Sequence, residues 1–191
     1  MTDDYLSHHG ILGQKWGVRR YQNPDGSLTK EGKDRYYYSN RTKRELKYVD
    51  DVNKIVESLS KDEQRKLGMK STDSKWINDD SRVETASNIA KTFIQRYGDT
   101  PVSMLEIWDN GTDVGEIAIA TNPKYRGTGV TSKNIENAIK WFDSEANTRL
   151  KDLQWNNLKE NPKSGQIAER FGFGEKEEDD LWEYRIRRKK A

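Results

Sequence analysis

From about Asn40 to Leu67 the apolar residues Leu46, Val49, Val52, Ile55, Val56 and Leu59 fall at three- and four-residue steps, with Lys, Asp and Glu between them. That spacing predicts amphipathic helix. Ser60-Lys61-Asp62-Glu63 has the form of a capping box and predicts a short second helix, which Gly68 ends. Residues 71–80 are polar and turn-rich, with Trp76 and Ile77 as their apolar anchor, and predict a short strand or a loop. Ser81 then opens a helix in which Val83, Ala86, Ile89, Ala90, Phe93, Ile94 and Tyr97 share one face, and Gly98 closes it.

Beyond Gly98 the period changes to two. Val102 to Trp108 alternates, Asp109-Asn110-Gly111-Thr112 is a hairpin turn, and Val114 to Thr121 alternates again. Ser132 to Ala146 returns to helical spacing, with Ile135, Ala138, Ile139 and Phe142 inward. Leu150, Leu153 and Trp155 predict a strand. Pro162 suits the first turn of a helix over Lys163 to Phe171, and Phe173 to Glu175 with Leu181 to Ile186 predict a closing hairpin. The series predicts an α/β (α+β) chain, a mixed sheet flanked by helices.

Residues 1–39 follow neither period. Ser7-His8-His9-Gly10 through Trp16-Gly17-Val18-Arg19-Arg20-Tyr21 is basic, aromatic and punctuated by glycine, and Asn23-Pro24-Asp25-Gly26 is a turn signal. With few aliphatic residues this piece cannot bury a core of its own. It divides the chain into an extended, basic aromatic N-terminal arm, 1–39, and a domain, 40–191. Aromatics among Arg and Lys suit stacking on bases or seating in a protein groove. An arm packed on the domain through Trp16 and Tyr21 is the plainer alternative.

Composition removes several chemistries. There is no Cys, so disulfides and thiolate catalysis are excluded. The two His, His8 and His9, cannot supply a four-ligand His/Cys zinc site within one chain, and no metal is expected. No apolar run approaches a membrane span, so a cytoplasmic location is expected. A net charge of +2 argues against nucleic acid as the main partner.

The candidate chemistry lies in Asn122-Pro123-Lys124-Tyr125-Arg126-Gly127-Thr128-Gly129-Val130-Thr131, between a strand and a helix. Gly127 and Gly129 allow a tight turn whose backbone N–H groups converge with the start of the helix, a natural anion site. Arg126 adds a fixed positive charge. By spacing alone such a turn is as often only a turn. The run resembles the acetyl-CoA-binding segment of GNAT acetyltransferases, roughly Pro-x-Tyr-Arg-Gly-x-Gly. Downstream, Asn161-x-x-Ser164-x-x-Ile167-Ala168-x-x-x-Gly172-Phe173 resembles the second signature of that family. The resemblance covers about residues 100–187. Separately, residues 7–23 resemble a short module of bacteriophage and prophage proteins found beside virion proteins.

The GNAT resemblance implies a mostly antiparallel sheet in which Val114–Thr121 and Leu150–Asn157 are parallel neighbours that splay apart. Acetyl-CoA, the co-substrate, would enter the splay, with its pyrophosphate on the turn formed by Arg126, Gly127, Thr128, Gly129, Val130 and Thr131. Its thioester would lie beside the main chain that includes Ile119, Ala120 and Thr121. Asn161 would bond the pantetheine or cap the helix, with Ser164 beside it. Glu106 and Glu116 are the nearest carboxylates for a general base, and each can equally be an outward-facing strand residue. Where many members carry a tyrosine that protonates the leaving thiolate, this chain has Ala168, and Tyr184 or Ser164 would have to stand in. The implied activity is N-acetyl transfer to an amine acceptor. The alternative is a virion-associated interaction protein whose domain has lost catalysis. Acceptor specificity would come from the helices at 40–97 and the loop at 71–80.

Overall fold

A computed structural model describes residues 21–144 and 149–190. The chain divides into two compact units, residues 1–39 and residues 40–191. In the first unit the Asn23–Gly26 turn forms, with the Gly26 amide donating to the Asn23 carbonyl at 2.9 Å and a bridge between Gln22 and Leu28. The extended reading of the arm fails after it: helix α1 runs Lys30–Leu46. Its first turn is held by Thr29, whose hydroxyl accepts from the Gly32 amide at 3.1 Å. The Thr29 cap opens the helix, and Lys, Arg, Glu and Leu, which fill about half of its positions, favour it despite the scarcity of aliphatic residues.

Helix α2 spans Val49–Glu57 and buries Val49, Val52, Ile55 and Val56. Helix α3 spans Lys61–Leu67 with the capping box in place, Ser60 and Glu63 bonding reciprocally, and Gly68 closing it at φ 107°. Residues 70–78 are loop, followed by a short 3-10 turn at Asp79–Ser81 and helix α4, Arg82–Asn88.

The helix expected to run on to Tyr97 stops at Asn88. Ile89–Tyr97 is strand β1, paired antiparallel through a tight turn at Gly98-Asp99 to strand β2, Thr100–Asp109. The misleading spacing has a cause. Ala90 and Phe93 pack into one core cluster while Ile89 and Ile94 pack into the other. A strand covered on both faces, with a bulge between Ile89 and Lys91, places apolar residues in adjacent pairs that mimic a helical stripe.

Strand β3 (Val114–Thr121), helix α5 (Val130–Ser144), strand β4 (Asp152–Leu158), helix α6 (Pro162–Arg170) and strands β5 (Glu175–Glu178) and β6 (Trp182–Arg188) complete the domain. One six-stranded sheet has the order β1-β2-β3-β4-β6-β5. Every neighbouring pair is antiparallel except β3 and β4. One face carries the core of Leu105, Ile107, Ile117, Ile135, Ala138 and Phe142 under α5 and α6. The other carries Met104 and Ala120 under Val52, Ile55 and Val56 of α2. Among the described residues no helix is long and apolar enough to cross a membrane.

Candidate active site

Strands β3 and β4 pair only from Val114↔Asp152 to Ile117↔Trp155. Beyond that point β4 stays paired with β6 as far as Leu158↔Trp182, and β3 stays paired with β2 as far as Ser103↔Thr121. The two parallel strands therefore part, and a cleft of about 870 Å³ opens between them. Both faces of β3 line it: Glu116, Ala118 and Ala120 from one, Ile117, Ile119 and Thr121 from the other. The cleft thus passes through the sheet, with Trp76 and Trp108 on the α2 side and Ser164 and Ile167 of α6 on the other. A largely preformed cleft of this size, apolar with a few convergent polar groups, is a usual small-molecule site.

At one end of the cleft sits the glycine turn. Asn122 accepts from the Lys124 amide at 3.1 Å and Pro123–Tyr125 makes one 3-10 turn. Gly127 and Gly129 take φ 78° and 86°, and a Cβ added to either would meet nothing within 4 Å. Their left-handed backbone, not crowding, calls for glycine, and the open space is where a ligand could approach the main chain. The amides of Val130, Thr131 and Ser132 belong to the first turn of α5 and have no acceptor within the helix. Thr128 is turned away, its hydroxyl donating to the Tyr125 carbonyl at 2.6 Å. Thr131 lines the cleft, its Oγ1 2.8 Å from that of Thr121. The open glycines, the free amides and the adjoining cleft fit the pyrophosphate and pantetheine of acetyl-CoA.

Arg126 lines the cleft, with its Nη1 2.6 Å from Glu63 Oε1 of α3. Both side chains are partly exposed. Such a pair contributes about 1 kcal/mol or less, so a phosphate can share or displace it. Asn161 lines the cleft and stands at the N-terminus of α6, yet its side chain makes no capping bond. Ser164 also lines the cleft, its Oγ accepting from the Trp155 indole at 2.9 Å.

The two carboxylates are placed very differently. Glu116 lines the cleft and accepts from Asn110 at 3.1 Å. Glu106, far from facing outward, is 0 % exposed and does not itself line the cleft; it lies behind Trp76 and Trp108, which do. Its Oε2 accepts from both indoles, Trp76 Nε1 at 2.8 Å and Trp108 Nε1 at 3.2 Å. Its Oε1 has no hydrogen-bond partner. Burial pushes the carboxyl from an ordinary 4.5 up to about 7; nearby Glu45 adds to the rise, and the two indoles oppose it. A base poised near neutrality is what proton abstraction at physiological pH calls for.

Tyr184 does not line the cleft; its hydroxyl donates to Asp179 at 2.7 Å across the β5–β6 turn, and that bond raises its pKa. Ala168 is fully buried in the core. Sequence reasoning missed Trp76 and Trp108, the donors that orient Glu106. The signal for Trp76 was its place as the apolar anchor of an otherwise polar stretch.

Three comparisons bear on this arrangement. The acetyltransferase (GNAT) family matches residues 53–173, more than half of the chain. A family of unknown function, DUF7211, matches residues 1–23. No curated protein matches the chain. Among solved structures, an acetyltransferase from Thermus thermophilus is similar at 14 % identity and a TM-score of 0.54, over 75 % of this chain and 92 % of that one. A GNAT-family acetyltransferase from Streptococcus pneumoniae is similar at 18 % identity and a TM-score of 0.53, over 74 % of this chain and 93 % of that one. The protein smu.2055 from Streptococcus mutans UA159 is similar at 15 % identity and a TM-score of 0.53, over 74 % and 92 %. At these identities the structures speak to the fold, and the fold agrees with the family match. The splayed parallel pair, the glycine turn beside it and a family match spanning both place this chain in the GNAT acetyltransferase family.

Proposed function

We propose that this protein transfers an acetyl group from acetyl-CoA to an amine in the cleft between β3 and β4. The observation that carries the reading is the end of β3–β4 pairing at Ile117↔Trp155, with an open, glycine-lined helix start beside the gap. Bound acetyl-CoA supplies an activated thioester carbonyl and a fair leaving group.

The chain's own residues do the rest. The amides of Gly127 and Gly129 and of the first turn of α5 hold the pyrophosphate, and Arg126 adds charge. Main-chain groups of Ala118 to Thr121 on the β4 side have no partner strand, so an N–H there is available to a developing oxyanion. The cleft holds the amine beside the carbonyl. Glu106 lies behind Trp76 and Trp108, so it takes the amine proton through water that passes them from the cleft. Ser164, whose Oγ already accepts from Trp155, keeps its own proton for the departing sulfur. Tyr184 is engaged with Asp179 and takes no part.

Titration calorimetry with acetyl-CoA tests the cofactor assignment. Arg126→Ala combined with Gly129→Val should weaken binding by about tenfold or more, from loss of a charge-assisted bond and obstruction of the turn. Gly129→Val also forces a branched residue into φ 86°, so a modest drop in melting temperature accompanies it. Unchanged affinity in the folded variant would move the cofactor elsewhere. Tight binding without turnover on any amine would favour an interaction protein that has lost catalysis.

The N-terminal arm supports a second, separable role in docking to a protein partner, sought first among virion proteins. Residues 1–23 match a family of their own, outside the GNAT match at 53–173. Every residue lining the cleft lies between Leu59 and Trp182. Deleting residues 1–29 should therefore leave acetyl-CoA affinity within about twofold, while abolishing partner association. Loss of cofactor binding on truncation would make the arm part of the domain.

A further inference from the structure

Beneath the glycine turn lies a chain of five polar side chains in a region otherwise filled by aliphatic residues. Gln95 Nε2 on β1 donates to Asn134 Oδ1 on α5 at 3.0 Å. Asn134 Nδ2 donates to Ser103 Oγ on β2 at 3.0 Å. Ser103 Oγ is 2.8 Å from Thr121 Oγ1 on β3, and Thr121 Oγ1 is 2.8 Å from Thr131 Oγ1 in the first turn of α5. Asn134 and Ser103 are 0 % exposed and Thr121 is 8 % exposed. Asn134 occupies the buried stripe of α5 beside Ile135, Ala138 and Phe142, where an apolar residue would pack at no desolvation cost. Keeping an amide there calls for a reason.

The direction of the bonds supplies one. A hydroxyl has one hydrogen to give. Either hydroxyl of the Ser103–Thr121 and Thr121–Thr131 pairs can donate; with Ser103 accepting from Asn134, the assignment that continues the chain sends the Ser103 hydrogen to Thr121. Thr121 then accepts from Ser103 and directs its own hydrogen to Thr131. Thr131 accepts in turn, which leaves its hydrogen pointing out of the chain, at the helix start beside Gly129. Reversing the Asn134 amide would reverse every bond and leave Thr131 presenting lone pairs instead.

We propose that Asn134 and Ser103, acting through Thr121, orient the Thr131 hydroxyl as an outward donor to the pyrophosphate of the acyl-CoA. Thr131 is the binding residue, and Asn134 and Ser103 are positioning residues. The proposal rests on the acetyl-CoA reading above and adds the source of the site's preference for phosphate. The polar chain also ties β1, β2 and β3 to the turn, so the turn's geometry is held from below by groups the ligand never touches.

Two readouts separate this from a merely structural role. First, dissociation constants for acetyl-CoA are compared with kinetic constants for acetyl-pantetheine, which lacks the phosphates. Thr131→Val, Ser103→Ala and Asn134→Leu should each weaken acetyl-CoA binding by about tenfold, the loss of a hydrogen bond to a charged group. Ser103→Ala and Asn134→Leu should leave the acetyl-pantetheine constants unchanged, and Thr131→Ser should restore wild-type affinity. Second, Ser103→Ala should cost nothing further in a Thr131→Val background, since residues acting through one group are not additive. Ser103→Ala removes one buried hydroxyl and keeps the test open should Asn134→Leu fail to fold. Equal losses on acetyl-CoA and acetyl-pantetheine, or additive losses in the double variant, would overturn the proposal. Wild-type protein that binds no acetyl-CoA would instead overturn the cofactor assignment on which it rests.

Discussion

Replacing Glu106 by Gln is expected to lower kcat for acetyl transfer by about a hundredfold or more, with acetyl-CoA affinity unchanged. Glu106 holds an unpartnered Oε1 and a pKa of about 7, whereas its Oε2 is committed to Trp76 and Trp108. Gln preserves the acceptor for the two indoles but cannot take a proton. In the wild type, kcat/KM should rise with pH and level off above about 7, the value at which the carboxyl ionises. Glu116→Gln should leave both quantities within a few-fold; if Glu116 instead carries the loss, the base is Glu116.

The same group has a signature in stability. Its folded pKa lies above its unfolded value of 4.5. Between the two the unfolded chain has lost a proton that the folded chain keeps, so stability falls as pH rises from about 4.5 to about 7. The fall is on the order of 3 kcal/mol for one such buried group. Glu106→Gln removes that slope. Urea unfolding should find variant and wild type alike at pH below about 4.5, with the variant more stable above about 7. Parallel pH profiles would show that the carboxyl is not perturbed.

The largest loss of stability is expected for Asp109→Ala, about 3–5 kcal/mol by urea denaturation. Asp109 closes β2 and its carboxylate gathers three donors: Arg41 Nη1 at 2.9 Å, Arg149 Nη2 at 2.6 Å and the Gly111 amide at 3.1 Å. The Arg41 and Asp109 side chains are 1 % and 3 % exposed. Arg41 also donates to the Ser87 carbonyl. Removing the carboxylate takes from a buried guanidinium its ion pair with Asp109, and the loss of that buried pair sets the size of the effect. Arg149→Ala, whose side chain is 45 % exposed, should cost about 1 kcal/mol or less. Burial works to raise the Asp109 carboxyl, but Arg149, the Gly111 amide and Arg41 outweigh it and hold it below its ordinary 3.8. Its contribution is therefore present above that value and lost as pH falls through the lower folded value. Equal costs for Asp109→Ala and Arg149→Ala would show that the buried Arg41–Asp109 pair does not anchor the β2–β3 hairpin.

What the sequence by itself determined is local. The capping box at Ser60–Glu63, the stop at Gly68, the Asp109–Thr112 hairpin, the inward stripe of α5 and the proline start of α6 are each set by residues within a turn or two of one another. The glycine turn was legible for the same reason, because Gly127 and Gly129 are needed by backbone dihedrals and not by distant neighbours. Pairing decided the rest. Ile89–Tyr97 has spacing compatible with helix, and only β2 alongside and cores on both faces make it a strand. The carboxylate of Glu106 reads as a surface residue in an alternating strand, and becomes a buried base because Trp76, thirty residues earlier in the chain, closes over it. Arg126 reads as a free cation, and its ion pair with Glu63 depends on α3 lying against β3. Asn134 breaks an apolar stripe for a reason that exists only once Ser103, Thr121 and Thr131 are brought together from three elements. Desolvation, ion pairing and hydrogen-bond direction depend on which groups meet across the sheet, and single-chain periodicity carries no information about that.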